Sequence, residues 1–110
     1  MDIFITGYGL ISSIGMDVNE TISSLSNLKT GISQGKKDFS KEHKVGEVDL
    51  TNEELKNKFQ LKTNGSRTAL LGMIACKEAF QDHKLYDEVR TGLISGTSVG
   101  GMEVSEVEYR

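Results

Sequence analysis

The chain has 110 residues, a formal net charge of −3 from 13 basic and 16 acidic side chains, and one cysteine. That length fits one domain or part of one, and the charge offers no polycationic face to nucleic acid. A lone cysteine excludes an internal disulfide, no run approaches the ~20 apolar residues of a membrane span, and no secretory pattern opens the chain, so a cytoplasmic location is expected.

Asp2 to Thr6 (DIFIT) is an apolar, β-rich run ending at Gly7, and it reads as a buried strand. Asp17 and Glu20 have the spacing of an N-cap and its reciprocal partner. They predict a helix to about Leu28 with Val18, Ile22 and Leu25 on one face, stopped by Lys29-Thr30-Gly31. Gly31 to Glu47 reads as surface loop with at most a short strand around Lys44 to Val48. Thr51 and Glu54 repeat the capping spacing and open a helix of about two turns, TNEELKNKF.

The strongest helical signal runs from Ser66 to His83. Ala69, Met73, Cys76 and Phe80 fall at i, i+4, i+7 and i+11, while Leu70, Leu71, Ile74 and Ala75 widen the stripe, so a helix covered on most sides is expected. Gly72 in its middle costs about 1 kcal/mol relative to alanine, which suggests that another backbone approaches there. A polar turn (Gln81 to Arg90) leads to a second buried strand, Thr91 to Ser95. The glycine loop Gly96 to Gly101 and a helix opening at Met102 follow. This order predicts an α/β fold with a mostly parallel buried sheet.

Two readings compete for Gly7-x-Gly9-x-x-Ser12. Placed between a strand and a helix, it matches most of a dinucleotide fingerprint, whose glycines admit a phosphate to a helix N-terminus. That fold needs an apolar second strand after the helix, and TGISQGKKDFS does not supply one; no GxxxxGK[ST] pattern exists either. The other reading makes the glycines a tight packing corner that binds no phosphate. Cys76, in the densest apolar part of its helix with no histidine at contact spacing, is expected to be a buried, inert packing thiol with a raised pKa. His43 reads as solvated and His83 as a partner of its helix C-terminus, and so scattered a set predicts no metal site.

Four segments, in order, carry a resemblance: Ile5-Thr6-Gly7-Tyr8-Gly9-Leu10-Ile11-Ser12-Ser13-Ile14-Gly15, Leu28-Lys29-Thr30-Gly31-Ile32, Arg67 to Phe80 with Ala75-Cys76-Lys77-Glu78-Ala79-Phe80, and Gly92 to Gly101. Together they resemble the N-terminal part of the β-ketoacyl-acyl-carrier-protein synthases, the condensing enzymes of fatty acid and polyketide synthesis. Two departures stand out. Ser66 occupies a place where that family usually has an acid, and the stretch between Gly35 and Lys62 matches nothing closely.

The resemblance implies a thiolase-like layered fold, of which residues 1–110 would be a single partial domain, with a homodimer or heterodimer of synthase subunits. It implies decarboxylative condensation of acyl and malonyl thioesters with no cofactor. The family's catalytic cysteine and two histidines lie in later segments, so residues 1–110 contain no catalytic residue and alone are expected to be inactive. Val99, between the glycines of its loop, would border the acyl pocket. Lys58, Lys62 and Arg67 would meet the acidic acyl carrier protein, although interleaving with Glu53 and Glu54 also suits a solvated face. A non-catalytic interaction or scaffold domain of the same fold, like a chain-length factor, is the alternative.

Overall fold

The computed structural model describes residues 1–36, 41–81 and 90–109. In chain order it contains α1 (Val18–Ser26), a ribbon of β1 (Ser33–Gln34) and β2 (Lys44–Val45), then α2 (Asn52–Phe59), α3 (Arg67–Ala79) and α4 (Met102–Glu108). The ribbon is antiparallel, with Ser33 opposite Val45 and Gln34 opposite Lys44. His83 and the expected polar turn at 82–89 lie outside the described residues.

Local chemistry accounts for the helix ends. Asp17 accepts from the Glu20 amide at 2.7 Å, and the Glu20 carboxylate accepts from the Met16 amide at 2.7 Å. At the other end the Gly31 stop is not used. Leu28 takes a left-handed φ of 52°, its amide donates to Leu25 O at 3.1 Å, and the Lys29 amide donates to Ser24 O at 2.8 Å. This pair of bonds satisfies the carbonyls that the last turn would leave open. The end of α2 repeats the device: Gln60 has φ 53°, and the Leu61 amide donates to Lys56 O at 2.9 Å.

The core lies where α2 packs on α3. Leu55 and Leu70 are fully buried and Ile74 is 2% exposed. The covered stripe of α3 thus runs through Leu70 and Ile74, with half-buried Glu78 next at the same four-residue step. Three expectations are corrected here. Cys76 is exposed, together with Ala69, Met73 and Phe80, because α2 covers only one side of α3. A Cβ on Gly72 would meet nothing within 4 Å, so no backbone approaches it. On α1, Ile22 and Leu25 are more than half exposed, and the buried residues are Thr21 and Ser24. Their hydroxyls donate to Asp17 O at 2.8 Å and Ile14 O at 2.6 Å, which places a polar face on the preceding turn.

The mostly parallel buried sheet is likewise corrected. Residues 2–6 and 91–95 form no strand, and Ile3, Ile5, Leu93 and Ile94 are each more than four-fifths exposed. A strand run becomes a buried strand only when neighbours complete its ladder and cover its faces, and the sheet among the described residues consists of β1 and β2. The accessible surface is accordingly 9448 Å², against roughly 6,000 Å² for a compact chain of this mass.

Candidate functional site

The glycine corner forms as a turn locked onto two helices. Ser12 and Gly15 exchange amide-to-carbonyl bonds of 2.9 and 3.4 Å across Ser13-Ile14. A Cβ at Gly15 would stand 2.5 Å from the Thr21 amide nitrogen of α1. One at Gly9 would collide with Ala75 O and stand 2.9 Å from Ala79 N and Glu78 Cβ, so the backbone at Gly9 lies directly on α3. The space a phosphate would need is filled by helix. Glu78 completes the lock: its carboxylate accepts from the Leu10 amide at 3.0 Å and from the Val18 amide at 2.9 Å, joining the two ends of the corner.

A second constellation gathers at the start of α3. The Arg67 guanidinium donates to Leu50 O at 2.9 Å, Asn52 Oδ1 at 3.0 Å and Val48 O at 2.7 Å, tying residues 48–52 to the helix. The Arg67 amide donates to the Glu103 carboxylate of α4, and the Ser66 hydroxyl accepts from the Ala69 amide at 3.3 Å. Ser66 is thus the N-cap, and Glu103 supplies the acid at this helix start from across the fold. A cleft of about 410 Å³ opens beside it, lined by Lys36, Glu47, Val48, Leu50, Arg67 and Leu71 among others. Lys36 pairs with Asp49 at its rim, and this hydrogen bond raises the pKa of the lysine.

The other expected site residues lie nearby in sequence but not in one pocket. Lys58 is exposed, with its ammonium 5.7 Å from the centroid of the Phe59 ring, and Lys62 is exposed just beyond α2. Val99 is two-thirds exposed in the loop that leads to α4, and it does not line the cleft at Arg67. The Glu103 contact links that loop's helix to Arg67. The sequence reading assigned no role to Glu78 or Glu103. Glu78 had a usable signal: an acid continuing the Leu70, Ile74 step must have its carboxylate satisfied on the covered side. Glu103 had none, because its partner is 36 residues away.

Cys76 is exposed, as is His43, whose carbonyl accepts from the Gly35 amide at 3.0 Å. No cluster of three metal-ligating side chains and no helix long and apolar enough to cross a membrane occurs among the described residues.

The chain is 36% identical, over 114 aligned positions, to the 3-oxoacyl-[acyl-carrier-protein] synthase 1 of Buchnera aphidicola subsp. Baizongia pistaciae (strain Bp). It is 38% identical over 106 positions to the same-named protein of Buchnera aphidicola subsp. Schizaphis graminum (strain Sg). Each match covers 89% of this chain and 26% of the relative, so the chain spans about a quarter of the length of the curated relatives it matches. No family model matches the chain, and no solved structure matches it. Both relatives bear the name of a 3-oxoacyl-[acyl-carrier-protein] synthase. The chain belongs to the β-ketoacyl-acyl-carrier-protein synthase family.

Proposed function

We propose that this chain is the N-terminal part of a 3-oxoacyl-acyl-carrier-protein synthase, and that it supplies scaffold, acyl-pocket wall and carrier-docking surface to the complete enzyme. The observation that carries the reading is identity of 36–38% sustained over 89% of the chain to proteins bearing that name. The packed corner at Gly9 supports it, because it gives the glycines a structural task and leaves no place for a nucleotide phosphate. In the complete enzyme, residues 1–110 would be one portion of a thiolase-like domain whose further strands cover the 2–6 and 91–95 runs.

The reaction proposed is decarboxylative condensation. A cysteine thiolate outside residues 1–110 attacks the acyl thioester, forming an acyl-enzyme and releasing the carrier thiol. Decarboxylation of the malonyl thioester then yields carbon dioxide and a carbanion equivalent. This carbon attacks the acyl-enzyme carbonyl, forms the new carbon–carbon bond and expels the thiolate. Within the described chain, Val99 would bound the acyl chain, while Lys58 and Lys62 would steer the acidic carrier. Arg67, whose guanidinium is engaged by three acceptors, would hold residues 48–52 in place beside them.

The test is a condensation assay of the complete protein with acyl and malonyl carrier thioesters. Ketoacyl product is expected, with none from residues 1–110 alone. An intact, folded complete protein that binds carrier but forms no product would replace this reading with a non-catalytic subunit of the same family. Val99→Phe should shift acceptance toward shorter acyl chains and Val99→Ala toward longer ones, and an unchanged profile removes Val99 from the pocket.

A further inference from the structure

Glu103 stands apart from the rest of its helix. It is half-buried, whereas the other residues of α4 are exposed, and its carboxylate accepts from the Arg67 amide at the start of α3. That helix start has no acid of its own. Ser66 caps it with a neutral hydroxyl that takes the Ala69 amide, and the first turn of α3 carries neither Asp nor Glu. The Glu103 carboxylate therefore satisfies an amide that the helix leaves open and also faces the positive end of its dipole. Both effects fix where α4 begins relative to α3.

Directly before Glu103 lies the glycine loop. Gly101 has φ 86°, and its carbonyl accepts from the Val104 and Ser105 amides at 3.0 and 3.3 Å, which starts α4. A Cβ on Gly100 would stand 2.8 Å from side-chain atoms of Thr97, so the turn that carries Val99 folds back on itself and leads straight into the helix start. On the other limb a Cβ at Gly96 would meet nothing within 4 Å, and close packing does not fix the backbone there. Even with the 91–95 run covered as a strand in the complete enzyme, Gly96 leaves a pivot between strand and turn.

We infer that Glu103 is a positioning residue for acyl-chain length: its bond to the Arg67 amide sets how far the Val99 turn stands from α3, and thereby the depth of the acyl pocket. The inference rests on the synthase reading above, which puts Val99 at the acyl chain. A loop anchored at one end lets its tip swing, and the tether at Glu103 supplies the second anchor. Small shifts matter at such a wall, because a misplacement of about 1 Å changes rates by up to about a hundredfold. An acid serving only as a helix cap would be simplest at position 66 itself. Brought from α4, 36 residues away, it caps α3 and ties down the loop together.

The test compares condensation by the complete protein across acyl carrier thioesters of increasing chain length. Glu103→Ala is expected to move the ratio of kcat/KM for long over short acyl chains about tenfold toward the long ones, the size of effect that one methylene makes in an apolar pocket. Glu103→Gln, whose amide oxygen can accept the same bond, should stay near the unsubstituted profile. Adding Ser66→Asp to Glu103→Ala separates cap from tether: an acidic N-cap should recover Tm but not the length profile, because it is not attached to α4. If Glu103→Ala alone does not fold, this double variant carries the comparison. A profile unchanged in a folded Glu103→Ala, or one restored by Ser66→Asp together with Tm, would overturn the inference and leave the synthase reading standing. No ketoacyl product from the unsubstituted protein would overturn that reading and this inference with it.

Discussion

Leu28 and Gln60 hold φ angles of 52° and 53°, a region where the Cβ of an L-residue crowds the neighbouring carbonyl. Each is kept there by the same closing pair of amide bonds at the end of its helix, so the geometry is required and the side chain is not. Leu28→Gly and Gln60→Gly are expected to stabilise the chain by about 0.5–1 kcal/mol each, a net figure after the greater freedom of glycine in the unfolded state. Because they close different helices, the gains should add in urea titrations. Gly9 predicts the opposite sign. Gly9→Ala drives a methyl into the backbone of α3 at Ala75 and Ala79, and backbone there cannot step aside as a side-chain tip would. A loss of about 1–3 kcal/mol is expected by the same titration, with the corner between Leu10 and Val18 loosening first in amide exchange.

Helix α2 shows how local rules become an element with a pH dependence. Its N-cap is reciprocal: the Thr51 amide donates to Glu54 Oε2 at 2.7 Å, the Thr51 hydroxyl donates to the same oxygen at 2.8 Å, and the Glu54 amide donates back to that hydroxyl at 3.2 Å. The Thr51 amide, and then its hydroxyl, hold the Glu54 carboxyl below the usual value of 4.5. Since the folded pKa is depressed, this stabilisation is fully present above the unfolded value and is lost as pH falls through the folded one. Acidification should therefore reduce helicity more in the native chain than in Glu54→Gln, as followed by circular dichroism. The helices were largely legible in sequence because such caps lie within three residues of their partners: Asp17–Glu20 and Thr51–Glu54 each set a start correctly. The buried face of α3 was not, because periodicity offers two apolar stripes, and only the position of Leu55 on α2 chooses Leu70 and Ile74 over Met73 and Cys76. The glycine corner was legible as a corner, yet its clamp by Glu78 depends on a contact 68 residues away. At Arg67 the charge was legible and its direction was not. Its fork serves three acceptors in fixed geometry, which a lysine ammonium cannot reproduce, so Arg67→Lys should cost about 1–3 kcal/mol and free residues 48–52 to exchange.

At the scale of the molecule, the strands at 2–6 and 91–95 were read from composition, and composition does not say where a neighbouring strand comes from. The described chain supplies a core of Leu55, Leu70 and Ile74, and it leaves Ile5 and Ile94 almost wholly in water. In the complete synthase proposed above, further sequence would cover these runs, and the surface then left for the carrier includes Lys58 and Lys62. Both are exposed, but Lys58 lies near the Phe59 ring and shares its helix with Glu53 and Glu54, so local attraction is diluted. Exposed charges of this kind act chiefly on encounter, because the field guides an acidic partner before any contact is desolvated. Lys58→Glu with Lys62→Glu in the complete protein should therefore lower the association rate for carrier protein by about tenfold at low salt, with dissociation little changed. The difference should shrink as ionic strength brings the screening length toward 8 Å, and stopped-flow mixing at several salt concentrations measures both effects. An association rate that ignores the reversal at low salt would place the carrier on another face and leave these lysines as solvated surface.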